Sequence, residues 1–139
     1  MPVQSSTLSL SAKGFTDVVD ITGKVRDIVS SGTIDDGIAT VFVPGSTAGV
    51  TTIEYESGAV TDLKEAAERL FPQDIHYAHD ARWGDGNGFS HIRSAMLGTS
   101  LTIPFTKKTL LLGTWQQIVL VDFDTRPRQR EVVAQIIGE

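Results

Sequence analysis

Polar and apolar residues alternate along residues 5–11, with Leu8 and Leu10 on one side, and this period of two predicts a strand with one solvated face. Residues 15–21 read as a second strand with Gly14 at the turn, so an opening hairpin is expected. From Thr22 the spacing changes. Val25, Ile28 and Val29 recur at helical intervals, Thr22 is suited to cap the amino end and Gly32 to close the carboxyl end of a short amphipathic helix. Residues 37–44 and 50–55 are β-branched or aromatic runs, which predict strands on either side of the small-residue loop GSTAG. Ser57 opens a longer helix in which Val60, Leu63, Ala66, Ala67 and Leu70 make one apolar stripe, and Pro72 ends it.

Residues 73–91 show no periodicity and are expected to form a long loop, a feature usually functional or disordered in a small domain. Strands resume over residues 100–105, 109–112, 115–124 and 130–137, with KK and DTRPR as the expected hairpin turns. Residues 118–121 are apolar at every position, so both faces of that strand need a cover: helix, a second sheet or a neighbouring subunit. The expectation is an α+β fold, a single domain over residues 1–139 with a mostly antiparallel β-sheet or sandwich and two main helices.

Composition narrows the function. With 40% hydrophobic and 21% charged residues in 139, the chain is of ordinary globular make-up and long enough for one continuous core. A net charge of −5 argues against sequence-independent nucleic-acid binding, which needs a surplus of Lys and Arg. The absence of cysteine removes disulfides, thiolate nucleophiles and Cys-ligated metals from consideration. No stretch approaches the ~20 apolar residues that span a bilayer, and the amino end lacks a signal-peptide pattern. The expected setting is cytoplasmic, without membrane or nucleic-acid partners.

The chemistry-bearing residues gather in the aperiodic segment. HYAHD (76–80) and His91 offer the imidazole and carboxylate groups that a divalent metal would use in a chain without cysteine. His79 and His91 are also candidates for acid–base work, with Asp80 or Asp85 to orient one of them, whereas His76 reads as a solvated loop histidine. GDGNG (84–88) would let main-chain N–H groups approach an anion, although a tight turn explains it as well; Asn87 is its most useful side chain. Ser46 and Thr47 place hydroxyls between two expected core strands, and Glu54 closes the second of them as a candidate ligand or base. Arg126, Arg128 and Arg130 default to a solvated turn, but would suit diphosphate if that turn reached the site. Gln116 and Gln117 interrupt an apolar strand, and whichever points inward needs a hydrogen-bonding partner.

Taken in order, FVPGSTAGVTTIE, YAHD, GDGNGFSHIRSAMLG, SLTIPF, LLLGTWQQIVLVDFD and QIIGE resemble the YjbQ family, also called the secondary thiamine-phosphate synthase family, from about Gly37 to the carboxyl end. The resemblance implies a mostly antiparallel α+β fold, a homotrimer and a site built from histidines at strand ends. It places His79, His91 and Glu54 at family positions as catalytic residues, with His79 and His91 as candidate metal ligands, and Asn87 at an asparagine found in many members. Ser46, Thr47, Asp80 and Asn87 are the expected substrate contacts. Two departures stand out: Gly45 begins the Gly-Ser-Thr-Ala run where many members have His-Thr-Thr-Ala, and Phe89 replaces another family histidine.

The implied activity joins an aminopyrimidine diphosphate to a thiazole phosphate with release of diphosphate, which makes the expected partner a phosphorylated small molecule and the expected cofactor a divalent metal, Mg²⁺ or Zn²⁺. The alternative is a phosphate- or metabolite-binding protein without turnover, using the same loop to hold an anion.

Overall fold

The computed structural model describes every residue from Met1 to Glu139. In chain order the elements are β1 (Val3–Ala12), β2 (Asp17–Asp20), α1 (Thr22–Ser31), β3 (Gly37–Phe42), β4 (Ala48–Ile53), α2 (Ser57–Leu70), α3 (Ala78–Trp83), α4 (Gly88–Leu97), β5 (Ser100–Thr106), β6 (Thr109–Leu110), β7 (Gln117–Asp122) and β8 (Arg128–Gly138). The strands form two antiparallel sheets, one ordered β1-β8-β3-β5-β6 and the other β2-β7-β4. No helix is long and apolar enough to cross a membrane.

The alternation read from the sequence sets which face of each strand is buried. Leu8, Leu10, Ala39, Val41, Ile103, Phe105, Val132 and Ile136 of the larger sheet meet Val50, Ile118 and Leu120 of the smaller one, with Val25 and Val29 of α1 closing the side. The opposite face of the smaller sheet carries Val18, Val119, Val121 and Phe123, against which Val60, Leu63 and Ala67 of α2 and Leu97 of α4 pack. The doubly apolar run 118–121 is therefore covered by a sheet on one side and helices on the other, within one chain. Each fully buried aliphatic side chain of this kind stabilises by roughly 1.5–3 kcal/mol.

Pairing corrects the expected connections. β1 pairs with β8 and β2 with β7, so the opening segment is a crossover between sheets and not a hairpin. β7 and β8 also belong to different sheets, so DTRPR is a second crossover, and the loop from β3 to β4 is a third. All three pass the same end of the sandwich, where Ala12 pairs Arg128 and both Asp17 and Ala48 pair Asp122. The KK turn does join a hairpin, β5 to β6, with Lys107 and Lys108 both left-handed at φ 48° and 58° as its tight reversal requires.

The expected long loop is the larger correction: it contains α3 and the start of α4, giving four helices where two were expected. Along α4 the buried residues are Gly88, Phe89, Ser90, Arg93 and Ser94, which do lie at helical spacing. Three of them are polar, so no apolar stripe marks the helix. Ser90 Oγ donates to Phe123 O, Ser94 Oγ donates to Ala48 O at 2.6 Å, and the Arg93 guanidinium donates to Phe71 O and Thr16 Oγ1. Side-chain donors dock this helix on backbone carbonyls where hydrophobic residues usually would.

Candidate functional site

The three crossovers leave two acids and two arginines at the open end of the sandwich. Asp122 and Asp124 continue the inward side of β7 past Leu120, and Arg128 and Arg130 begin the inward side of β8, so the period of two brings four charges into one layer. Arg130 donates through Nε to Asp122 Oδ2 at 2.7 Å and through Nη2 to Asp122 Oδ1 at 3.0 Å and Thr47 Oγ1 at 2.7 Å. Asp122 is wholly buried and Arg130 is 5% exposed, so this pair closes the end of the core. Arg128 Nη1 donates to Asp124 Oδ2 at 2.6 Å, and the Thr47 hydroxyl donates to the same oxygen at 3.0 Å.

Asp124 is the most perturbed carboxyl of the group. Burial alone would raise its pKa, but the Thr125 N–H, the Asn87 amide, the Thr47 hydroxyl and the Arg128 guanidinium together outweigh burial and hold it at about 2. It is a fixed negative charge in every ordinary buffer, and its work is to orient donors.

Above this network lies a cleft of about 520 Å³ with no hydrophobic lining residue. Pro44, Gly45, Ser46 and Thr47 form one wall, Asp124, Thr125, Arg126, Arg128 and Arg130 a second, and Asp85, Asn87 and His91 a third. Ser46 and Arg126 are exposed and make no side-chain hydrogen bond or ion pair, and the main-chain N–H groups of Gly45, Ser46 and Thr47 meet no acceptor within the chain. Free donors concentrated in one concave surface are what an oxyanion requires. The groove between β4 and β5, about 310 Å³ in volume, contains no titratable side chain and offers no comparable chemistry.

His79 and His91 are brought together, ring centroids 4.2 Å apart and tilted by 39°. Both sit on helices, His79 on α3 and His91 on α4, where a loop was expected. GDGNG is the turn between these helices. Gly84 and Gly86 take left-handed φ of 70° and 68°, and Asp80 Oδ1 accepts the Gly88 N–H at 2.8 Å. A Cβ at Gly88 would lie 2.5 Å from Tyr77 Cβ, so glycine there is needed for the two helices to approach and for the imidazoles to meet.

His79, Asp80 and Asp85 each offer a ligand atom, all within 4.8 Å of one another. His79 Nδ1 is 3.3 Å from Asp85 Oδ1 and 3.7 Å from Asp80 Oδ1, yet it is buried and makes no hydrogen bond with either. Asn87 stands between two carboxylates. Its amide nitrogen is 3.3 Å from Asp124 Oδ1, and turning the amide over would bring that nitrogen to Asp85 at 3.0 and 3.1 Å. Either way its carbonyl oxygen faces an acid.

The candidates thus separate. Ser46, Thr47, Asn87 and His91 line one cleft, His79 stacks on His91 from behind it, and Asp80 serves as a helix cap beside His79. Glu54 is exposed beyond the far end of β4, seven residues from Thr47 and hence roughly 23 Å along an extended strand, outside this cleft. His76 is exposed in the irregular segment just before α3. Gln117 Oε1 accepts the Tyr55 N–H and Gln116 ties Gly113 to Thr52, so both brace loops. Phe89 is 2% exposed with the Arg93 guanidinium 4.9 Å from its ring, so position 89 faces the core and not the cleft. Sequence reasoning missed Asp122 and Asp124 and gave the arginines a solvated turn by default, with diphosphate only if that turn reached the site; it does line the cleft. The available signal was the pairing of D-x-D with R-x-R, each at strand spacing.

Residues 6–139 match the family described as UPF0047 protein, YjbQ-like. A UPF0047 protein of Mycobacterium bovis is 42% identical over 115 residues, covering 83% of this chain and 87% of the relative. One from Methanothermobacter thermautotrophicus is 34% identical over 139 residues, covering 100% and 95%. Among solved structures, a YbjQ-like protein of unknown function from Sulfolobus solfataricus superposes with a TM-score of 0.93 at 30% identity, covering 99% of each chain. A YjbQ/UPF0047 family protein of Clostridium acetobutylicum gives 0.87 at 32% identity, covering 95% and 99%.

Proposed function

The chain belongs to the YjbQ-like UPF0047 family, and from that premise we propose that it is a small-molecule enzyme whose substrate enters the polar cleft by a phosphate or diphosphate group. The observation that carries this reading is the convergence of Arg126, Arg128, Arg130, Ser46, Thr47 and Asn87 on one cleft with His91 at its wall. Guanidiniums and hydroxyls neutralise a departing diphosphate, and an imidazole is the group best suited to exchange a proton with it near neutral pH.

The reaction we assign is the joining of an aminopyrimidine diphosphate to a thiazole phosphate. The thiazole nitrogen lone pair forms the new bond to the pyrimidine methylene carbon as the carbon–oxygen bond breaks, and diphosphate leaves with that electron pair. His91 is assigned the proton shared with the leaving group, and His79 the role of holding the ring of His91 in place. The expected homotrimer belongs to the same reading. One face of the larger sheet leaves Val3, Ile38, Phe42 and Ile137 exposed by 37% or more, an apolar face that a neighbouring copy would cover. A cytoplasmic setting accompanies it.

A divalent metal fits the residues behind the cleft. His79 Nδ1 is buried without a hydrogen bond beside Asp80 and Asp85, and one nitrogen with carboxylate oxygens suits Zn²⁺ better than Mg²⁺. His79, Asp80 and Asp85 would hold it, in place of the His79 and His91 pair expected from sequence. Bound there, it would supply positive charge toward the diphosphate. Thermal melting with Zn²⁺ and Mg²⁺ checks this: Zn²⁺ should raise the midpoint, Asp85→Asn should abolish the rise, and a rise that survives Asp85→Asn would refute the ligand set.

Turnover of the two precursors by the native protein, His79→Ala and His91→Ala tests the reaction. We expect rates reduced ~10²-fold or more for His91→Ala; equal rates in all three refute the catalytic assignment. The wholly polar lining favours one other reading, a phosphate-binding protein without turnover, which predicts phosphate-dependent stabilisation and no product.

A further inference from the structure

Arg130 is buried and only partly satisfied. Its Nε and Nη2 are taken by Asp122 and Thr47, while Nη1 has no acceptor in the chain. A guanidinium has five N–H bonds in a fixed fork, so the two on Nη1 remain for something outside the network. The place they reach is marked by Gly45. A Cβ built there would lie 3.2 Å from Nη1, so only a glycine hydrogen separates the main chain from that nitrogen. The backbone of Gly45 is not left-handed, unlike that of Gly84 or Gly86. Torsion therefore does not demand glycine at 45, whereas access to Arg130 does.

We propose that Gly45 and Arg130 form the floor of a subsite for a terminal phosphoryl group, with residue 45 deciding whether that group is admitted. This rests on the reading of the cleft as a phosphorylated-substrate site and narrows it to one end of the ligand. The donors left without an acceptor in this part of the cleft are the Nη1 hydrogens of Arg130, the Ser46 hydroxyl and the N–H groups of Gly45 and Ser46. That number of donors suits the three free oxygens of a terminal phosphoryl group better than the two of a carboxylate. Asp122 balances Arg130 and Asp124 balances Arg128, whereas Arg126 has no ion-pair partner and is free to turn to an anion, with Asp85 on a different wall of the cleft.

Calorimetric titration of the native chain, Gly45→Ala and Gly45→Val with inorganic phosphate, glycerol 3-phosphate and acetate at fixed ionic strength tests the proposal. Gly45→Val should weaken phosphate binding about tenfold or more, the cost of covering a charge-assisted donor, with Gly45→Ala intermediate. Melting points without ligand check the fold of each variant; Gly45→Ala, whose Cβ at 3.2 Å asks Arg130 to give by only a few tenths of an ångström, carries the comparison if Gly45→Val is destabilised or does not fold. Acetate should bind far more weakly. Loss of both phosphate and its monoester on substitution supports an organic phosphate, and loss of phosphate alone supports the free ion. Equal phosphate affinity in all three proteins, no phosphate binding by the native chain, or acetate binding as tight as phosphate would overturn the subsite. Since the readout is binding, failure of the turnover assay leaves this result standing, and turnover with phosphate binding indifferent to residue 45 refutes only the subsite.

Discussion

Replacing Asp124 by Asn removes one charge from the buried network while keeping the side chain's shape, and the structure specifies how that loss should depend on pH. The carboxyl is held at about 2 against an ordinary value of 3.8. Each pKa unit is worth ~1.4 kcal/mol, so the ionised form adds about 2 kcal/mol to stability at neutral pH. The folded-state value lies below the unfolded one. The contribution is therefore complete above the unfolded pKa and disappears as pH falls through about 2. For a domain of this size the neutral-pH loss corresponds to a drop of roughly 5–10 °C in Tm. Urea unfolding of both proteins between about pH 7 and pH 1.5 gives the difference directly. Asp36, Glu56 and Glu68 also have lowered pKa values, each held down chiefly by hydrogen bonds it accepts. They are present in both proteins and cancel. The difference should be largest near neutrality and shrink by about 2 kcal/mol below pH ~2. A gap that stays constant across that range would refute the assignment of Asp124 as a permanently ionised anchor.

Arg130→Met leaves Asp122, which has no exposed surface, as a lone buried charge; urea unfolding should show a loss of about 3–5 kcal/mol, most of it recovered in Arg130→Met/Asp122→Leu, where both charges leave together. Gly88→Ala forces a Cβ to within 2.5 Å of Tyr77; it should cost about 1–3 kcal/mol and separate α3 from α4, read in the melting curve and in the loss of ring-current shifts between His79 and His91.

The strands and the first two helices were legible because their burial is carried by hydrophobic side chains, as Leu8 and Leu10 in β1 and Val25 and Val29 in α1 illustrate. α4 was not legible. Its inward face is built from Ser90, Arg93 and Ser94, and what fixes them is the set of carbonyls at Phe123, Ala48 and Phe71, remote in sequence. Ser46, Thr47, Asn87 and His91 could be named as site residues because polar groups in small-residue loops are conspicuous; Glu54 looked equivalent until the length of β4 set it at the opposite end.

By itself, then, the sequence determined the period of each strand, the need to cover both faces of residues 118–121 and the family, all properties of neighbouring residues and their order. Tertiary structure decided the rest. DTRPR read as a hairpin turn becomes a crossover, and that single change of sheet carries Arg128 and Arg130 from solvent into contact with Asp124 and Asp122. Whether a charge is a solvated loop residue or the floor of a cleft depends on which strands pair across the core, and that is fixed by long-range packing, which local periodicity does not encode.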